Sequence, residues 1–244
     1  MNKIDFLPKN CKGSHVGVVL SFIIFVSFLV LLYPALIDPA LDTGENKQAL
    51  LEHLRTEITE NISAELTTAS VELTLSEGNN CIKLKNFLSS TGITSRNIVK
   101  NDKEKNQASY VSGNFLKINR DSINDDFFKV ESSQEFASVG DRAGCVEIAE
   151  EDYVVGLIRT KEYVFETKII SLVENYRTGY GSLKNELGLP SSTEFDFIFE
   201  QNNKTQIGVK EEISTEIYAE EIPVQYVNKE GGILLGKIII RIWN

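Results

Sequence analysis

GSHVGVVLSFIIFVSFLVLLYPALI, residues 13–37, contains no Asp, Glu, Lys or Arg, and its reading decides how the rest of the chain is understood. A helix rises ~1.5 Å per residue, so residues 16–37 would extend about 33 Å, the depth of a bilayer's hydrocarbon core. The flanks are asymmetric: Lys3, Lys9 and Lys12 against Asp5 before the run, then Asp38, Asp42 and Glu45 after it. The positive-inside rule makes the leader cytoplasmic and sends about 200 residues outside. A secretory signal would have a shorter apolar core, about 7–15 residues, and a small-x-small cleavage site. This run is longer and ends in YPALIDPALD, which favours a retained anchor. The expectation is a single-pass protein of the cell membrane, with its amino terminus in the cytoplasm and its carboxy-terminal domain outside.

Pro34 and Pro39 each remove a backbone donor, which predicts a kink or break after the apolar run. Beyond it, Leu50, Leu51, Leu54, Ile58, Ile62 and Leu66 recur at helical spacing opposite Glu52, Arg55, Glu57, Glu60 and Glu65. This predicts an amphipathic stalk helix over 38–70. The period then changes to two, and Gly78-Asn79-Asn80 between Val71–Ser76 and Cys81–Lys85 reads as a β-hairpin. Residues 89–107 are polar and read as an exposed loop. Short strands are expected around 115–118 and 127–130, and strand alternatives stay open at 154–158. A helix is expected over 162–177 and a short one over 182–187, stopped by Gly188 and Pro190. The closing third alternates as strands: Pro223 marks an edge or bulge, and Ile238–Ile240, apolar on both faces, marks a central strand. The fold class expected is α+β. A leader at 1–13, a transmembrane or assembly helix at 14–37 and a stalk at 38–70 precede an extracytoplasmic head at 71–244, an antiparallel sheet packed on helices.

Lys12-Gly13-Ser14 directly before the apolar run resembles the leader of archaeal type IV pilins and pilin-like surface proteins. The resemblance covers roughly the first 70 residues and implies that a prepilin-type peptidase cuts between Gly13 and Ser14. It also implies that the helix over 16–36 first anchors the subunit in membrane lipid and then packs with like subunits or pilus components, which would place the protein at the cell surface. The fifth residue from Ser14 is Val18, where bacterial pilins carry a Glu used in assembly; archaeal relatives often lack it. Gly17 and Ser21, four residues apart, form a small-xxx-small pair suited to close helix packing.

The formal charge of −10 leaves no basic patch for phosphate, so nucleic acid is not an expected partner. Cys11 lies in the leader. Cys81 and Cys145 either pair as a disulfide across a loop of about 64 residues or stay as two separate thiols, and the sequence leaves both open. With the head outside, Asn61-Ile62-Ser63 and Asn203-Lys204-Thr205 become glycosylation sequons.

No nucleophile, base and orienter assemble from the residue types present, since His53 sits in a Glu-rich helix face and no G-x-S-x-G or H-E-x-x-H occurs. Gly179-Tyr180-Gly181-Ser182 reads as a turn with an N-cap. Asp121, Asn124, Asp125 and Asp126, like Glu147, Glu150, Glu151 and Asp152, offer hard oxygens but not the spacing of a calcium loop, so they read as solvated surface charge. No metal, cofactor or catalytic residue is expected. The functional expectation is a non-enzymatic, pilin-like surface protein, against the alternative of a permanently anchored binding or sensory module.

Overall fold

The structure, a computed structural model, describes residues 15–74, 78–213 and 215–244; within the first helix it leaves out the side chains at 15–16, 31 and 33–45. The chain forms two compact units, Met1–Ala49 and Leu50–Asn244.

The first unit holds the start of α1 (His15–Ile62), a helix that includes Pro34 and Pro39, so the break read at these prolines does not end it. Among the described residues no helix is long and apolar enough to cross a membrane. The transmembrane helix over 14–37, the single-pass topology and the cell-membrane placement expected from sequence are therefore corrected. Gly13 and Ser14 lie outside the described residues, as does Cys11.

The second unit corrects the α+β expectation. Its dominant element is one mixed sheet of twelve strands, ordered β10-β9-β12-β11-β8-β1-β6-β3-β4-β5-β2-β7. The strands are β1 (Ser63–Leu73), β2 (Cys81–Leu84), β3 (Asn97–Asn101), β4 (Asn106–Ser112), β5 (Phe115–Asn119), β6 (Phe127–Ser132), β7 (Val146–Ile148), β8 (Tyr153–Phe165), β9 (Glu194–Glu200), β10 (Gln206–Gly208), β11 (Tyr218–Val227) and β12 (Ile233–Trp243). Two neighbour pairs, β8 with β11 and β2 with β7, run parallel, so the sheet is not purely antiparallel. Besides α1 the described residues hold only the short α2 (Phe87–Thr91), a 3₁₀ turn at Glu150–Asp152, and α3 (Glu166–Glu186).

α1 stops at Ile62, short of 70, because SAELTTASVEL is rich in β-branched residues and switches to period-two burial, with Ala69, Val71 and Leu73 turned inward. β1 then pairs with β6 and β8, so no hairpin forms between 71–76 and 81–85. The polar stretch 89–107 is not a loop either: it contains β3 and the start of β4. Asn97, Lys100 and Asn101 are buried there because each finds a partner, in Ser109, Gly231 O and Asp125 respectively. The helix expected from 162 begins at Glu166, since β8 carries on through Phe165. α3 absorbs the short helix over 182–187 across a kink at Gly179, φ −148° and ψ 43°.

Two cores flank the central strands. The last turns of α1 bring Leu51, Leu54, Ile58 and Ile62 against Ile169, Leu172, Val173 and Leu183 of α3, over Phe195, Phe197 and Phe199 of β9 and Ile238, Ile240 and Ile242 of β12. β12 lies between β9 and β11, which explains its two apolar faces. Pro223 pairs with Lys237 of β12, while β11 meets β8 only further along at Tyr226 and Val227, so no ladder bond is lost on that side. The second core gathers Val71, Leu73, Ile82, Leu84, Phe87, Val99, Ile118, Phe128, Val130, Ile148 and Tyr153. A smaller cluster of Leu66, Phe136, Phe165 and Val227 lies where β1, β8 and β11 meet.

A disulfide joins Cys81 on β2 to Cys145 just before β7, Cα atoms 4.7 Å apart and 64 positions apart in sequence. It sits beside the register in which Ile82 pairs with Val146. Cys81→Ser with Cys145→Ser is expected to destabilise the protein by about 4 kcal/mol on loop-closure grounds, read as a lower urea midpoint. An unchanged midpoint would show that the short parallel β2·β7 pair holds without the covalent tie.

Candidate functional site

An open cleft of about 690 Å³ is built on α3, β9, the end of β12 and the segment 208–213. Tyr176 and Tyr180, one helical turn apart, meet edge to face with centroids 4.8 Å apart, and Tyr180 stacks on Phe195 at 5.5 Å. The Tyr176 hydroxyl donates to Phe195 O at 2.9 Å, and that of Tyr180 donates to Glu194 Oε2. Glu194 also accepts from Lys184 Nζ at 2.8 Å. Trp243, Arg177, Glu211 and Glu212 complete the rim.

These contacts set the electrostatics. Burial pushes both tyrosine hydroxyls up; the neighbouring Tyr180 adds to the shift of Tyr176, and the hydrogen bond to Glu194 adds to that of Tyr180. The Lys184 hydrogen bond, then that of Tyr180, holds Glu194 below the ordinary carboxylate range. The tyrosines are therefore neutral donors, and Glu194 is an ionised acceptor already engaged twice.

Beneath the cleft Asp196, fully buried, receives a two-pronged hydrogen bond from Arg241, whose Nε lies 2.7 Å from Oδ1. Asp196 Oδ2 also accepts from Glu211 N at 3.0 Å, and Arg241 donates to Glu211 O at 3.2 Å, which ties the 208–213 segment to the sheet. Gly208, at φ +155°, makes that approach: a Cβ there would lie 2.4 Å from Phe197 O. The cleft is thus walled by rings and by an engaged Glu194, with Arg177, Lys210, Glu211 and Glu212 also lining it, a surface suited to a polar ligand.

A second charged cluster ties β3 and β6 to the turn between β11 and β12. The fully buried Glu131 on β6 has Lys100 Nζ 3.0 Å from Oε2 and Lys129 Nζ 2.8 Å from Oε1, at angles too bent for good hydrogen bonds, so the pairing is chiefly coulombic. For Lys129, burial works against the charged form, but its interactions with Glu131, and then with Glu104, outweigh it and raise the pKa. Lys100 also donates to Gly231 O at 2.7 Å in the β11–β12 turn. Only glycine fits at 231, where φ is +76° and a Cβ would fall 2.8 Å from Glu131 Oε2.

The residues singled out from sequence are scattered. Gly17 and Ser21 are exposed on α1, and no atom stands within 4 Å of a Cβ built at Gly17. Asn61 is half-buried and donates to Glu57 O at 3.0 Å, whereas Asn203 is exposed in the β9–β10 turn and accepts from Thr205 N at 2.9 Å. His53 lies 3.1 Å from Leu187 O, joining α1 to the end of α3. The acidic runs face cations: Asp121 pairs with Lys105, Asp126 with Arg120 and Glu147 with Lys83. Among the described residues no group of three His, Cys, Asp or Glu is placed to hold a metal.

The rings and carboxylates of the cleft escaped sequence reading because Tyr176 looked like one more residue of a core stripe. Glu194 and Trp243 lie at strand ends with no pattern of their own. The fold and cleft define a strand-dominated mixed-sheet protein with an open aromatic and acidic groove. No protein-family model matches the chain, and no curated protein or solved structure proves significantly similar to it.

Two measurements test this geometry. Glu131→Leu alone leaves Lys100 buried without its counter-charge and is expected to cost about 3–5 kcal/mol, whereas Lys100→Met together with Glu131→Leu recovers most of that loss in a double-mutant cycle. For Glu194, whose folded pKa is depressed, the stability it contributes is fully present above the unfolded carboxylate value, about pH 4, and is lost as pH falls through the lower folded value. Glu194→Gln should therefore flatten the acid limb of stability against pH and lower the urea midpoint at neutral pH, where the ionised carboxylate contributes.

Proposed function

We propose that the protein is a non-enzymatic assembly subunit, pilin-like in the sense that like chains join through their amino-terminal apolar helices while the mixed-sheet unit is displayed for binding. The observation that carries this reading is the start of α1. From Val18 to Val30 every large apolar side chain is exposed, from 38% at Val26 to 73% at Val18, so no face of the helix is covered. A helix apolar all round is stable in water only when something buries it, at roughly 25 cal/mol per Å² of apolar surface removed. Gly17 and Ser21 lie on this same stretch and leave room for a neighbouring backbone. The second unit offers a surface for that binding, the cleft in which Tyr180, Glu194 and Lys184 are held to one another.

Sedimentation of the full chain in lipid-free buffer tests it. Oligomers are expected, and Ile23→Glu, which sets a charge in the middle of the apolar stretch, should return the chain to monomers with unchanged far-UV dichroism. A full chain that stays monomeric, or one that enters lipid vesicles without associating, would overturn the assembly reading.

A further inference from the structure

β8 is paired with β1 along its whole length on one side, yet on the other it meets β11 only at Tyr226↔Val164 and Val227↔Phe165. The remainder of that edge has no strand neighbour among the described residues. Where the two strands part, a cavity of about 480 Å³ opens between Lys161 and Val164 on one side and Val224 and Gln225 on the other. On one face of β8 a second hollow, of about 250 Å³, runs along Leu157, Arg159, Lys161 and Tyr163, with Lys129 and Ile233 across from them. Side chains from Gly156 to Glu162 are all exposed, Leu157 at 65% and Ile158 at 41%. The regular edge begins after Gly156, where the register with β1 shifts and a Cβ would lie 2.3 Å from Ser70 Oγ.

An unpaired edge of this kind offers free backbone donors and acceptors to any extended segment. Its charges decide which segment. Antiparallel self-pairing centred on Ile158 would set Leu157 against Arg159 and Val155 against Lys161, matching no charge with its opposite. Centring on Thr160 would set Arg159 directly against Lys161, a repulsive pair. A second copy is thus rejected. Arg159 and Lys161 make no ion pair among the described residues, and they point to the same face because they are two residues apart. On a chain of net charge −10, these cations beside exposed Leu157 form a local surface complementary to acid and apolar groups.

We propose that residues 157–163 of β8 are a docking strand for an extended acidic and apolar segment of a partner protein. The segment adds to the sheet as a further strand, with two carboxylates two residues apart facing Arg159 and Lys161 and an apolar residue over Leu157. The test uses the full chain and a fluorescein-labelled Val-Glu peptide, Val-Thr-Glu-Thr-Glu-Thr-Val, whose two Glu and terminal Val share one face, followed by anisotropy. Binding is expected, weakened about tenfold or more by Arg159→Glu with Lys161→Glu, both exposed positions whose replacement leaves the fold intact by dichroism. The same peptide with alternate amides N-methylated, and its Val-Lys counterpart, are expected not to bind. The proposal is overturned if the Val-Glu peptide fails to bind, if the N-methylated peptide binds equally, or if charge reversal has no effect. Self-association abolished by Leu157→Glu without any peptide binding would make a second copy the occupant and would equally overturn it.

Discussion

The antiparallel ladder between β1 and β8 is the constraint on which the second unit depends. It runs from Ser63↔Val164 to Leu73↔Tyr153, and each core lies toward one end of it. At the Ser63 end the strands lead into α1 and α3, whose apolar stripes close over β9 and β12. At the Leu73 end they lead into β2 and β7, joined by the Cys81–Cys145 disulfide, and the second core forms inside. A slip of one residue would turn Ala69, Val71 and Leu73 outward together, so burial at both ends enforces a single register. The bulge opposite Ser70 is the one place where the ladder gives, and Gly156 is the residue that permits it.

A ladder alone would leave the two halves free to twist about it, and the buried ion cluster opposes that. Lys100 and Lys129 converge on Glu131, and Lys100 reaches across to the β11–β12 turn at Gly231. Asn106 donates to Glu230 O at 3.2 Å in the same turn. Removing three charges from water is costly, so the cluster adds little net stability. Its effect is geometric: the turn at 228–232 can dock in one place only, since misplacement would leave a carboxylate and an ammonium buried apart.

How much of this is legible in the sequence follows from where burial is apolar. The stripes of α3 and of the last turns of α1 declare themselves at helical spacing, and Phe195, Phe197 and Phe199 declare a strand at spacing two. The Ile238–Ile240 run similarly marks a central position. By contrast SRNIVKNDKEKNQ hides two strands, because Asn97, Lys100 and Asn101 are buried through polar partners that lie far along the chain. No local pattern announces a lysine whose acceptor is Gly231 O. The end of α1 was equally obscure: Leu66 continues the helical spacing numerically, but Thr67, Thr68 and Val71 favour an extended chain once β6 and β8 are present to pair with it.

The two surfaces that suit binding differ in what they ask of a partner. One wall of the cleft is prearranged: Tyr180, Glu194 and Lys184 hold one another and Tyr176 is tied to Phe195 O, so on that side a ligand's own fit must do the selecting. The free length of β8 is prearranged in its backbone but open in its side chains, and selection there falls to charge, through Arg159 and Lys161. The start of α1 selects least, offering only apolar area. An assembly built from such parts would take its cohesion from the helix and its discrimination from the sheet, because area without directed polar groups confers affinity and little specificity.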